Sequence, residues 1–205
     1  MDADFTHEGR FGPMTQMFRA IRAWVRTSDD SPRSALSIDR NPELDAILLE
    51  KWPALHITAA RYPAVDCQKL PMPDGAFDVV YSNQVLEHVP RPWLAGEQLV
   101  RVLRPGGIGI HTSCAFNPRH GPPQFEDYWR FLPPGLAALF EGVEVLQLAE
   151  WGNRDAIRHN VTVDDGFGAM GGRRFDEQTG SRSDGLYPWV VWIIFRKKAA
   201  PTGRL

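Results

Sequence analysis

Residues 77–113 read F-D-V-V-Y-S-N-Q-V-L-E-H-V-P-R-P-W-L-A-G-E-Q-L-V-R-V-L-R-P-G-G-I-G-I-H-T-S. Phe77 to Tyr81 is a short apolar run rich in β-branched and aromatic residues, the pattern of a strand buried on both faces. A polar cluster, Ser82-Asn83-Gln84, follows it, and then Glu87-His88. From Trp93 to Arg104 the residues Gly96, Leu99, Val100 and Leu103 fall on one helical face. Pro105-Gly106-Gly107 should stop that helix, since proline cannot continue it and glycine accepts a left-handed cap. Ile108 to Thr112 resumes as a strand. Strand, helix and strand in so short a span make a βαβ unit, whose crossover is almost always right-handed. In such sheets ligands bind beyond the carboxyl ends of the strands, and that edge would carry Ser82 to His88 and Thr112 to Cys114.

Toward the N-terminus, Ser34 to Ile38 and Leu55 to Ala60 read as strands. Between them Asn41-Pro42-Glu43 opens a helix: asparagine caps, proline suits the first helical position, and the acid favours the positive dipole end. Leu44, Ile47, Leu48 and Trp52 would be its buried face. Asn41 also tolerates left-handed backbone better than most residues. Earlier still, Met14, Met17, Phe18, Ile21, Trp24 and Val25 form a helical stripe. Between the second strand and Phe77 no helix is readable, because Pro63-Ala64 leads straight to Leu70-Pro71, and Pro73-Asp74-Gly75 is a turn.

Toward the C-terminus, C-A-F-N-P-R-H-G-P-P-Q-F-E-D-Y-W-R-F is too polar and proline-rich for a core element, yet it holds Phe116, Phe125, Tyr128, Trp129 and Phe131. Aromatics on a loop at a strand's carboxyl end suit an acceptor pocket, and equally suit anchoring the loop to the body. Leu136 to Phe140 reads as a short helix, Val143 to Leu148 as a strand, and Trp151-Gly152-Asn153-Arg154 sets polar groups beside an aromatic at that strand's end. Residues 164–185 carry glycine at 166, 168, 171, 172, 180 and 185 without apolar periodicity, which predicts a flexible loop or lid. Trp189 to Phe195 is the last strand.

A chain of 205 residues, 43% hydrophobic, accommodates a single domain over 1–205 with a full core. Its formal charge of −2 gives no electrostatic reason to expect nucleic acid or an anionic membrane as partner. No apolar run approaches the ~20 residues that span a bilayer, and the polar start M-D-A-D-F-T-H-E-G-R does not read as a secretory signal. Cys67 and Cys114 are too few for a disulfide scaffold and lack metal-ligand spacing. These features fit a cytoplasmic enzyme or binding protein.

The run L-P-M-P-D-G-A-F-D-V-V-Y-S-N-Q-V-L-E-H-V, followed by V-L-R-P-G-G, resembles the class I S-adenosylmethionine (SAM) dependent methyltransferases, in their small-molecule, type 11-like branch. The likeness is dense from Leu36 to about Phe140. It implies an α/β, Rossmann-like class I methyltransferase fold with a mostly parallel, seven-stranded-type sheet and helices on both faces, shortened here between strands 2 and 3. A helical cap over residues 1–30 would either cover the ligand or fill the core.

The resemblance further implies SAM as cofactor, S-adenosylhomocysteine as its product, and a small hydroxylated acceptor such as a sugar or secondary metabolite. Asp39, Arg40, Asn41, Asp66, Cys67, Gln68, Asn83 and Gln84 are the expected cofactor-binding residues, with Asp66 in the place of the acid that meets the adenine amino group. His88 is the candidate general base for O-methylation, because histidine ordinarily titrates near neutrality. His111, Tyr128, Trp129, Arg130, Trp151 and Asn153 are the expected acceptor contacts, with His111 and His120 as secondary base candidates. Some relatives hold a metal with E-x-x-E-H at this point; Gln84 replaces the first acid here, so none is expected. A homodimer is compatible with the sequence.

The chain departs from the family at the first strand-to-helix turn. S-I-D-R-N-P-E-L-D stands where the family carries D/E-x-G-x-G, the glycines of which let backbone close on the methionine part of the cofactor. At the end of the second strand, Ala59-Ala60-Arg61 lacks the family's ribose-binding acid. Two further readings therefore stay open: a methyltransferase-like protein that no longer binds SAM and serves as a binding or scaffold subunit, or the fold reused for a different reaction.

Overall fold

Strand side chains alternate between the two faces of a sheet, and this sheet buries both. The computed structural model describes residues 12–121, 125–162 and 177–199. It forms a sheet of six strands in the order β2-β1-β3-β4-β6-β5. The strands are β1 (Ser34–Ile38), β2 (His56–Ala60), β3 (Phe77–Asn83), β4 (Leu103–Cys114), β5 (Val143–Trp151) and β6 (Val190–Lys197). β1 pairs in parallel with β2 and β3, and β3 with β4, while β6 runs antiparallel between β4 and β5.

Val79, Tyr81, Ile108, Ile110, Trp192 and Ile194 face one core, into which α1 (Pro13–Thr27) sends Met17, Phe18, Ile21 and Val25, and α2 (Pro42–Lys51) sends Leu44, Ile47 and Leu48. Their neighbours Val80, Val191, Ile193 and Phe195 face the opposite core, with Leu99 and Val102 of α3 (Pro92–Val102) and Leu136 of α4 (Pro133–Ala137). Helices thus cover both faces of a mostly parallel sheet, the Rossmann-like methyltransferase architecture. The sheet has six strands rather than seven, because residues 61–76, between β2 and β3, contain neither a helix nor a strand.

Several expectations are refined. The helix after β3 ends at Val102, and Pro105-Gly106-Gly107 lies within the strand that follows, at a register shift where Leu103 pairs with Phe77 and Ile108 with Val79. Ser82 and Asn83 belong to β3 itself. α1 packs its apolar stripe into the sheet core rather than over the carboxyl edge. Arg196 makes a bidentate pair with Asp30, just beyond that helix, at 2.9 and 3.0 Å. Of the glycine-rich stretch 164–185, residues 164–176 lie outside the described residues, as do 1–11 of the N-terminal cap. Its remainder is built into the body. α6 (Glu177–Gly180) follows α5 (Arg154–Thr162) in the chain, and the Asn153 amide donates to Thr179 O at 2.8 Å and Arg182 O at 2.9 Å. Among the described residues no helix is long and apolar enough to cross a membrane.

Candidate functional site

Parallel strands end together, so the loops that follow them share one edge. A cavity of about 440 Å³ opens there, within the range typical of ligand pockets. β1 contributes Ile38, the turn after it Asp39, β2 Ala60, the 62–68 loop Tyr62, Val65, Asp66, Cys67 and Gln68, and the chain after β3 Gln84, Val85, His88, Val89 and Pro90. Phe125, Glu126 and Tyr128 close it from the loop after β4.

The glycine-free turn after β1 keeps a left-handed path. Asp39 and Arg40 adopt φ of 61° and 36°, a region that costs non-glycine residues of order 1–3 kcal/mol each. Asn41 is not the left-handed residue: it is extended at φ −119° and caps α2, its Oδ1 accepting from Leu44 N at 2.8 Å. The Asp39 N–H donates to Ala60 O at 2.8 Å, fixing the turn against β2. Its carboxyl lines the cavity, and burial raises its pKa against the pull of Arg61. Arg40 turns to Asp45 at 3.5 Å, and neither it nor Asn41 lines the cavity.

Asp66 both lines the cavity and stabilises its own turn. Its Oδ1 accepts from Gln68 N at 2.8 Å, and its two oxygens accept from Gln68 Nε2 at 3.1 Å each. Burial pushes the Cys67 thiol up to about 12, so it stays protonated as an apolar wall. Gln84, at φ 52°, donates its N–H to Thr112 O at 3.2 Å and faces the cavity. Asn83 instead accepts from the Thr112 hydroxyl at 2.6 Å and does not line it.

His88 ends a single turn of 3-10 helix, Leu86–His88, and stands on the cavity wall. Its Nδ1 is 2.9 Å from Glu126 O. A carbonyl oxygen only accepts, so Nδ1 carries the proton and Nε2 is the lone-pair nitrogen of the neutral ring. That is the tautomer a general base needs. Phe125 lies beside it, ring centroids 6.1 Å apart, and tilts against Tyr62 at 5.6 Å. Tyr62 and Phe125 sit where the sequence places the ends of β2 and of the aromatic loop, and that position is the signal that could have singled them out.

Of the expected acceptor contacts, only Tyr128 lines the cavity. Trp129 anchors the loop, its Nε1 donating to Val89 O at 2.9 Å and its ring meeting Trp93 edge-on. Arg130 clamps Asp127 with bonds of 2.6 Å from Nη1 and Nη2. His111 is fully buried under the sheet, stacked on Phe140 and Phe195 with Nδ1 at 2.9 Å from the Ser82 hydroxyl, and burial pushes its pKa down to about 3. β4 alternation accounts for this: His111 points to the face opposite Ile110. Trp151 packs in the α1-side core, and Asn153 holds the 179–182 turn and caps α5 through Ala156 N at 2.8 Å. His111, Trp151 and Asn153 therefore do not converge on the cavity.

Glu87 is the residue that sequence reasoning underrated. It is wholly buried; its Oε2 accepts from Ser113 Oγ at 2.7 Å, and its carbonyl accepts from the N–H groups of Tyr128 and Trp129 at 2.8 and 3.1 Å. It thereby ties the acceptor-side loop to the turn that carries His88. Burial raises its carboxyl pKa. Nothing in a local E-H pair distinguishes such a hub from an exposed acid.

Residues 20–110 match the family described as Methyltransferase domain. An uncharacterized methyltransferase of Mycobacterium sp. (strain JLS) is 48% identical over 50 residues, covering 24% of this chain and 20% of that protein. The chain thus matches about a fifth of that curated relative's length. The fold is similar to that of a Burkholderia thailandensis 1,6-didemethyltoxoflavin-N1-methyltransferase with bound 1,6-didemethyltoxoflavin and S-adenosylhomocysteine, at 16% identity, 89% and 78% coverage of the two chains, and a TM-score of 0.55. It is also similar to the [4+2]-cyclase SpnF, at 19% identity, 92% and 84% coverage, and a TM-score of 0.51.

Proposed function

We propose that this chain, whose residues 20–110 match the Methyltransferase domain family, is a class I SAM-dependent methyltransferase that methylates a hydroxyl group of a small acceptor, a sugar or secondary metabolite, with His88 as general base. The observation that carries this reading is the cavity at the carboxyl ends of β1, β2 and β3, with the Nδ1 proton of His88 fixed on Glu126 O. SAM, when bound, supplies a methyl group on a positively charged sulfur that an oxygen nucleophile can displace. Asp39 offers a carboxylate to a cationic ligand, while Asp66, Gln68 and Gln84 offer polar partners beside the apolar Ile38, Val65 and Val85. The left-handed backbone at Asp39 and Arg40 supplies the shape that glycines give the family, so the residues present fit this group. His88 would take the acceptor's hydroxyl proton at Nε2. Tyr62, Phe125 and Tyr128 would orient the acceptor and restrict water, and alignment can contribute roughly 7–11 kcal/mol in the best intramolecular cases.

A second reading rests on the missing ribose acid. β2 ends in Ala60, and only apolar Ala60 and the ring of Tyr62 stand there on the cavity wall. A protein that no longer binds SAM and acts as a binding subunit would show this. Titration calorimetry of the purified protein with SAM and S-adenosylhomocysteine separates the two. Binding of both supports the enzyme; absence of heat and of thermal stabilisation at millimolar ligand leaves the binding subunit.

A further inference from the structure

We propose that Glu87, Cys114 and His120 form a binding site for one divalent transition-metal ion of the zinc class, buried between the end of β4 and the loop that follows it. Their ligating atoms all lie within 4.8 Å of one another. The wholly buried Glu87 directs one oxygen to Ser113, while among the described residues its Oε1 has no hydrogen-bond partner. Native proteins rarely leave such an atom unmatched, and a bound ion is one of the usual partners of a buried carboxylate oxygen that lacks donors. Nε2 of His120 stands 3.9 Å from that oxygen. Two metal bonds of about 2.0–2.2 Å reach at most ~4.4 Å between ligand atoms, so the pair can share one zinc.

The histidine is also set in the right sense. Its Nδ1 is 3.1 Å from Pro118 O, a carbonyl oxygen that can only accept, with Asp127 Oδ2 at 3.5 Å and an Arg130 guanidinium nitrogen farther than that carbonyl, at 3.4 Å. The proton therefore sits on Nδ1, and Nε2 is the ligating nitrogen. Asp127, held by Arg130 and by the His120 N–H at 2.8 Å, is the outer carboxylate that orients metal-bound histidines. Thiolate, imidazole and carboxylate make a borderline-soft set suited to zinc. The three residues are scattered along the chain, so no spacing motif announces them. The replacement of an acid by Gln84 concerns a different donor and leaves this set intact. A bound ion would pin the loop that presents Phe125, Glu126 and Tyr128 to the cavity. This site is independent of whether the protein transfers methyl groups.

Cobalt(II) is the probe, added to the full chain after treatment with a chelator. One equivalent should give a thiolate-to-cobalt charge-transfer band, and one equivalent of zinc should abolish it. The band should disappear in Cys114→Ser and persist in Cys67→Ser, since Cys67 is not one of the three clustered ligands. Asp127→Asn, which keeps all three ligands, should weaken cobalt binding by roughly 10–100-fold. Circular dichroism checks that each variant is folded. No band with excess cobalt, a band surviving in folded Cys114→Ser, or unchanged affinity in Asp127→Asn would each overturn the site.

Discussion

His88, in the turn after β3, and His111, within β4, carry the same ring and serve opposite purposes. His111 is sealed between Phe140 and Phe195, and burial pushes it from 6.5 down to about 3. The unfolded chain therefore binds a proton below pH 6.5 that the folded chain refuses until about pH 3. Stability from this residue falls as pH falls through that window, by up to about 1.4 kcal/mol per pH unit. The raised Glu87 carboxyl acts in the opposite sense, but equally in a variant at position 111. Denaturant unfolding of wild type and His111→Phe at pH 7, 6 and 5 should thus show a shallower loss in the variant; parallel curves would mean that the ring titrates in the folded protein. His88, on the cavity wall, bears on turnover instead. His88→Ala should lower kcat by about 100-fold or more with SAM affinity nearly unchanged. Full activity would remove it from the mechanism. Asp66→Ala should weaken SAM or S-adenosylhomocysteine binding by about 1–3 kcal/mol in calorimetry, part of it through loss of the Gln68 turn.

The β1–α2 turn states the same logic for an element. Glycine normally destabilises ordered backbone relative to alanine by roughly 0.5–1 kcal/mol, but Arg40 sits at φ 36°, where a Cβ is the strained atom. Arg40→Gly and Arg40→Ala both lose the exposed pair with Asp45, so their difference isolates the backbone. The glycine variant should be the more stable by about 1 kcal/mol in chemical denaturation; the reverse order would show that the turn relaxes without cost. α3 depends on an equally local fact. A Cβ on Gly96 would lie 2.0 Å from Leu139 O, so the helix approaches the chain after α4 through that gap. The sequence placed Gly96 on the buried face, but only packing reveals that no side chain fits.

At the scale of the whole molecule, the strands, the mostly parallel sheet with helices on both faces and the carboxyl edge where the cavity opens were legible, because periodicity and the motif run act locally and the βαβ rule makes the strands they join parallel. The place of the antiparallel β6 between β4 and β5 was not. The inward turn of His111, the anchoring of Trp129 on Val89 and the docking of Asn153 on 179–182 were not, since each is decided by residues from distant segments. The cavity shares that non-local origin: its walls come from the ends of β1 and β2, the 62–68 loop, the turn after β3 and the loop after β4. A ligand bound there adds contacts among segments that already meet through Tyr62–Phe125 and through the bonds of Glu87, His88 and Val89 to the loop after β4. Binding to the folded state alone adds about 2.7 kcal/mol of stability at a ligand concentration 100-fold above Kd. For a chain of this size that corresponds to a Tm rise of roughly 5–10 °C, readable by scanning calorimetry with S-adenosylhomocysteine. Hydrogen exchange should locate the effect, slowing in residues 62–68, 84–90 and 125–130 while β5 and β6 stay unchanged. A Tm rise accompanied by uniform slowing would show a ligand acting on global stability alone, and slowing confined to β5 and β6 would place the ligand away from this cavity.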